Sequence, residues 1–158
     1  MQPEPNPITG REAIEHLATP LRALVHFYLA FNSRNLNGMR QNWLQSPEIT
    51  MDNPVGGVKR GWQEIESIYR KLFQGEHRVE VQFHDYSLHV ADSVFYAIGR
   101  ERGTLYQPDG TSLALAIRTT RIFRRVDNTW KQVHHHGSID DPEVLRHYQL
   151  AVLKQSVA

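Results

Sequence analysis

No cysteine occurs among the 158 residues, which excludes a disulfide framework and a thiolate nucleophile. Charge of one sign is lacking as well. Lys and Arg number 18 against 17 Asp and Glu, a formal net charge of +1. That balance leaves no global field to draw in DNA or anionic lipid, so neither nucleic acid nor membrane is expected as a partner. No apolar run approaches the length of a membrane span, and the opening MQPEPNPITG lacks the charged and apolar regions of a signal peptide. A soluble cytoplasmic protein is the expectation. Phosphate loops, a Ser-His-Asp order, paired glycosidase carboxylates and internal repeats are all missing.

What is present fits one domain with a real core. Residues 1–8 hold three prolines and predict a disordered or extended lead-in. Thr9 with Glu12 has the spacing of a capping box. Ile14, Leu17, Leu21, Leu24, Tyr28 and Phe31 recur at three- and four-residue steps, the stripe of an amphipathic helix. Pro20 interrupts it, predicting a short helix, a break, and a second helix over about 20 to 33. Leu36, Met39 and Trp43 mark another helix, ITMD at 49–52 a short strand, and Gly61 to Gly75 a third helix.

After Gly75 the period falls to two. Strands are predicted at 78–90, 93–107, 111–126 and 129–139, with Ala91-Asp92, Pro108-Asp109-Gly110 and Asp127-Asn128 as turns. Asp141 and Pro142 then open a last helix, 141–158, packed on a single domain spanning 9–140. Helices first and strands afterwards mean α+β: an antiparallel meander, strongly bent, with helices across its concave side. Such a hollow is a usual place for a small-molecule site.

The stretch RIFRRVDNTWKQVHHHGSID reads as two strands joined at Asp127-Asn128. Alternation puts Trp130, Gln132, His134, His136 and Ser138 on one face of the last strand. Lys131, Val133, His135, Gly137 and Ile139 take the other. His134 and His136 could hold a metal only with a third ligand such as His84 or His89. No carboxylate stands at clear ligand spacing, so the reading is structural histidines at a sheet face and no metal or other cofactor.

Three segments, SPEITMDNPVGG, VKRGWQEIESIYRKLF and TTRIFRRVDNTWKQVHHHGS, resemble the NTF2-like superfamily. The resemblance is to its SnoaL-like branch, which includes the calcium/calmodulin-dependent protein kinase II association domain, and covers roughly residues 20–140. It implies a cone-shaped fold, a homodimer through the outer sheet face, and a pocket inside the cone. Of the association domain's pocket arginines, one matches Arg121. A second should lie on the earlier strand, where Arg100 or Arg102 is available, and a third falls at Gly137. Against ketosteroid isomerase, the general-base position is Asn53, an amide that takes no proton, and the first-helix tyrosine falls near Phe27 or Tyr28. Steroid isomerase chemistry is therefore not expected.

Together these assign a small polar or anionic organic molecule to the hollow. Arg121 offers a fork of donors, with Arg100 or Arg102, Asn53, Tyr28 and Trp62 as further contacts. The competing reading of Arg121 is an internal pair with Glu101 or Asp52. His135 or Asp52 would be the base if the protein is an enzyme, in proton transfer or water addition at a carbonyl-bearing substrate. Alternation on the strand points Asp52 away from Asn53's face. The rival assignment is a non-catalytic assembly module whose sheet face matters and whose pocket is incidental.

Overall fold

The computed structural model describes residues 2–154; Met1 and the end of the expected last helix, 155–158, lie outside the described residues. The element order is α1 (Thr19–Asn32), α2 (Leu36–Asn42), β1 (Thr50–Asp52), β2 (Lys59–Arg60), α3 (Gly61–Gln74), β3 (Arg78–Val90), β4 (Val94–Tyr106), β5 (Ser112–Val126), β6 (Thr129–Ile139) and α4 (Pro142–Leu153). The six strands form one sheet in the order β2-β1-β6-β5-β4-β3. Only the β1–β6 pair is parallel, with Thr50, Met51 and Asp52 opposite His134, His135 and His136. Asp127 and Asn128 both take positive φ, at 50° and 59°, the tight turn that matches the twist of the long β5–β6 hairpin.

One face of the sheet is apolar around a small group of buried polar residues. Val79, Val81, Phe83, Phe95, Ala97, Leu105, Leu115, Ile117 and Phe123 are buried along β3–β5, the odd-numbered side that alternation selects. Against it α1 lays Leu24, Phe27, Tyr28 and Phe31, and α3 lays Ile65, Ile68, Tyr69 and Leu72. Gly99 and Gly103 stand on this same side of β4. A Cβ on Gly103 would meet the Glu80 carbonyl oxygen at 1.8 Å, and one on Gly99 would meet Tyr86 Cβ at 2.7 Å. Bare backbone at these two points lets β3 and β4 press together where the sheet curves.

Two expectations need correction. No helix forms over residues 9–18, although the capping-box contacts do: the Glu12 carboxylate accepts from the Thr9 and Gly10 amides. Gly10 has φ +87°, and its backbone lies so close to α1 that a Cβ would sit 2.4 Å from the Leu29 nitrogen. Packing against α1 thus holds the segment out of helical geometry. The preceding residues are extended and tied down, with Glu4 N donating to Tyr86 O and Ile8 bridging to Phe83 at the free edge of β3.

The second correction concerns β6. Its register against β5 shifts between Ile122 and Phe123, so Val133 is an extra residue that resets the alternation. Trp130 and Gln132 consequently join His135, Gly137 and Ile139 on the inner side, rather than His134, His136 and Ser138. Among the described residues, no helix is long and apolar enough to cross a membrane.

Candidate functional site

The bulge brings the polar residues of the sheet's inner face together. Arg121 on β5 is 2% exposed, and Glu101 on β4 and His135 on β6 are 5% exposed each. Arg121 Nη2 donates to Glu101 Oε1 at 2.6 Å, Nη1 to Gln132 Oε1 at 2.8 Å, and Nε to the Tyr28 hydroxyl at 3.2 Å. Tyr28 in turn donates to Glu101 Oε1 at 2.8 Å. The Phe27 ring covers the guanidinium, with Cζ 3.5 Å from its centroid, a cation–π contact in a desolvated setting. Burial works against the charge on Arg121, but the Tyr28 and Glu101 oxygens outweigh it and hold the guanidinium protonated.

Opposite Arg121 in the β5–β6 register stands His135. Its Nδ1 is buried without a hydrogen-bond partner among the described residues. Burial, with the positive charge of Arg121 behind it, holds the imidazole well below its ordinary pKa, so the ring is neutral. Gly137 makes room for it: a Cβ there would stand 3.2 Å from His135 Nε2 and 3.2 Å from Pro54.

Glu101, Arg121 and His135 line one cavity of about 30 Å³ with Asn53, Tyr69 and Tyr148. That is space for about two water molecules. Tyr148 enters from α4, which Asp141 caps by accepting from the Glu143 and Val144 amides. Gln149 Nε2 donates to Pro54 O at 3.0 Å and pins α4 across the mouth.

The predicted site residues divide accordingly. Arg121, His135 and Asn53 reach the cavity. Tyr28 is fully buried behind the Arg121–Glu101 pair and does not line it. Trp62 packs on Tyr69 and borders a shallow depression beside Arg60 and Pro47. Arg100 and Arg102 flank Glu101, so alternation sends both outward; Arg102 pairs with Asp85 at 2.6 Å, and Arg100 lies 3.9 Å from Asp140. Asp52 also points outward. Its Oδ2 lies 2.7 Å from His136 Nδ1 and its Oδ1 3.5 Å from His134 Nε2, while Thr50 Oγ1 is 2.6 Å from His134 Nδ1. It therefore cannot serve as a base inside the cone.

Glu101, read from the sequence as an internal partner for Arg121, is among the described residues the one carboxylate at the cavity wall. Its position between two outward arginines on a strand was the available signal. Tyr148 falls with Val144, Leu145 and Val152 on the apolar side of the last helix, but only the path of α4 brings it to this cavity.

The SnoaL-like domain family matches the chain over residues 21–142. No curated protein matches it. Among solved structures it is similar to an NTF2-like family protein from Streptomyces avermitilis, provisionally assigned as a dehydratase. The identity is 19%, the coverage 77% of this chain and 93% of that one, and the TM-score 0.70. A second, provisionally assigned as a calcium/calmodulin-dependent protein kinase type II association domain from Thiobacillus denitrificans, is 26% identical. It covers 79% of this chain and 98% of its own, with a TM-score of 0.68. An NTF2-like superfamily protein from Salmonella enterica has 18% identity, coverage of 76% and 87%, and a TM-score of 0.65. The curved α+β cone is the fold these proteins share.

Proposed function

The chain belongs to the SnoaL-like domain family, and from that premise we propose that its cone binds a small uncharged polar molecule beside Glu101, Arg121 and His135. The observation that carries this reading is the meeting of a paired guanidinium, its carboxylate and the neutral imidazole of His135 on one cavity. The charge of Arg121 is already matched by Glu101, which disfavours an anion and favours a carbonyl or amide. Three of the five guanidinium N–H groups are committed, leaving donors for a ligand oxygen. The neutral imidazole of His135 carries one acceptor nitrogen for a ligand N–H or O–H. In proton-transfer chemistry Glu101 or His135 takes the proton while Arg121 stabilises the developing negative charge.

A ligand larger than water enters by displacing Tyr148. The helix that carries it, α4, begins at the last residue of the family match, so the closure is an addition to the shared cone. A thermal-shift comparison of small ketones and amides with small carboxylates tests the reading. The uncharged set should raise the midpoint of the wild type and lose that effect in His135→Leu. If neither set shifts the wild type, or both proteins respond alike, the cavity is not a ligand site.

A second reading is favoured by the outer face of the sheet, where Tyr96 and Ile98 are exposed apolar side chains on β4, and by the likeness to an association domain. On it the protein is a homodimeric assembly module joined sheet to sheet. Sedimentation equilibrium checks this. A wild-type dimer that Ile98→Asp converts to folded monomer supports it, and a monomeric wild type removes it.

A further inference from the structure

The guanidinium of Arg121 also points away from the cavity, into a chain of amides. Nη1 donates to Gln132 Oε1 at 2.8 Å, and Gln132 Nε2 donates to Asn42 Oδ1 at 3.3 Å. Asn42 Nδ2 donates to Ala23 O at 3.0 Å and lies 3.2 Å from His26 Nδ1. His26, half-buried on α1, lines a groove on the outside of the molecule with Ile14, Arg22, Trp130 and Lys131. The chain thus joins the floor of the cone to that groove.

An arginine only donates, and this fixes every link. Its N–H requires Oε1 of Gln132, which turns Nε2 toward Asn42; that requires Oδ1 of Asn42, which turns Nδ2 toward His26. His26 Nδ1 is then an acceptor, and the neutral ring carries its hydrogen on Nε2, the nitrogen turned away from Asn42. Neither amide can be turned over alone without setting donor against donor. Gln132 is 0% and Asn42 3% exposed, so bulk water does not repair such a mismatch.

We infer that this chain is a directional link which holds His26 as a neutral Nε2–H donor at the groove, and that its fixed direction opposes protonation of His26. Protonation makes Nδ1 a donor set against Asn42 Nδ2, and Asn42 cannot turn to meet it without giving up both its contact with Gln132 Nε2 and its bond to Ala23 O. The surroundings act in the same direction. The charged groups around His26 in the groove are Lys131 of β6 and Arg22 of α1, while α2 presents Gln41 and Asn42, the β5–β6 turn Asn128 and Thr129, and the segment before α1 Ile14. Burial and the charge of Lys131 lower the His26 pKa. The inference stands whether or not the cone holds a ligand.

The test is the tautomer of His26, read by long-range proton–nitrogen NMR of the full chain at neutral pH, with its titration. The wild type should show Nε2–H. In Gln132→Glu the carboxylate accepts from Arg121 and repels Asn42 Oδ1, so Asn42 turns over, exchanging its bond to Ala23 O for a charge-assisted one to the new carboxylate, and offers Oδ1 to His26. The expected result is Nδ1–H and a raised pKa, two links from the substitution. Asn42→Asp accepts from both neighbours, should give the same switch with the Gln132–Arg121 contact intact, and serves if the first variant does not fold. A new negative charge alone would raise the pKa without selecting Nδ1–H in the neutral ring. Nδ1–H in the wild type, or Nε2–H retained in either folded variant, overturns the inference.

Discussion

His134, His135 and His136 are consecutive, yet they belong to two unlike environments separated by the thickness of one strand. On the outer face His134 and His136 share Asp52, with Thr50 alongside, and all are partly open to solvent. On the inner face His135 sits with Arg121 and Glu101 where every polar atom is either paired or enclosed. What differs is the solvent available to each group. Exposed ion pairs exchange protein contacts for water at little gain. A buried pair has already lost its hydration, so each partner depends on the other.

The sharpest way to break that contrast is Arg121→Ala. Removing one partner of the buried pair leaves the Glu101 carboxylate enclosed beside Tyr28, and the expected cost is about 3–5 kcal/mol in urea unfolding. Arg121→Met combined with Glu101→Leu removes both charges and should regain much of that loss. Such a recovery would mean that packing does not require the pair, as expected if it is kept for the chemistry of the cavity. A cost of less than about 1 kcal/mol for Arg121→Ala would put the inner pair on the scale of surface pairs and dissolve the distinction between the two faces.

The parts of this arrangement legible in the sequence were those governed by local rules. The four long strands lie within one residue of their expected bounds at each end, because unbroken alternation and turn residues mark them independently of tertiary structure. Arg121 was placed on the inner side by the resemblance to the association domain, and His135 followed from that placement by alternation. The bulge at Val133 was invisible, since one extra residue changes the phase of β6 without changing its composition. Glu101 and Asp52 were both legible as partners for Arg121, but the choice between them was out of reach. Glu101 is opposite Ile117, and Arg121 is opposite Ala97, so the pair spans two steps of the same face and depends on register and curvature together. The capping contacts of Thr9 and Glu12 formed without their helix because Gly10 answers to α1 rather than to its own neighbours.

A smaller effect sharpens the comparison through pH. The folded-state pKa of His135 is depressed, whereas the unfolded chain titrates near the ordinary value of about 6.5. Between the two values the unfolded state binds the proton and the folded state does not, so stability falls as pH drops below the unfolded pKa and is fully present above it. One such group contributes a slope of at most about 1.4 kcal/mol per pH unit. His26 is depressed as well, so the wild type carries the sum of the two slopes. In His135→Leu, unfolding followed from pH 7 to pH 5 should lose one share of that slope and keep the share of His26. At neutral pH the change should be smaller than that of Arg121→Ala, because the substitution removes a neutral ring whose Nδ1 has no hydrogen-bond partner among the described residues. A variant whose pH dependence matches the wild type would mean that the imidazole of His135 takes up its proton in the folded state as readily as in water. The enclosure that sets the inner face apart from the outer one would then not hold in solution.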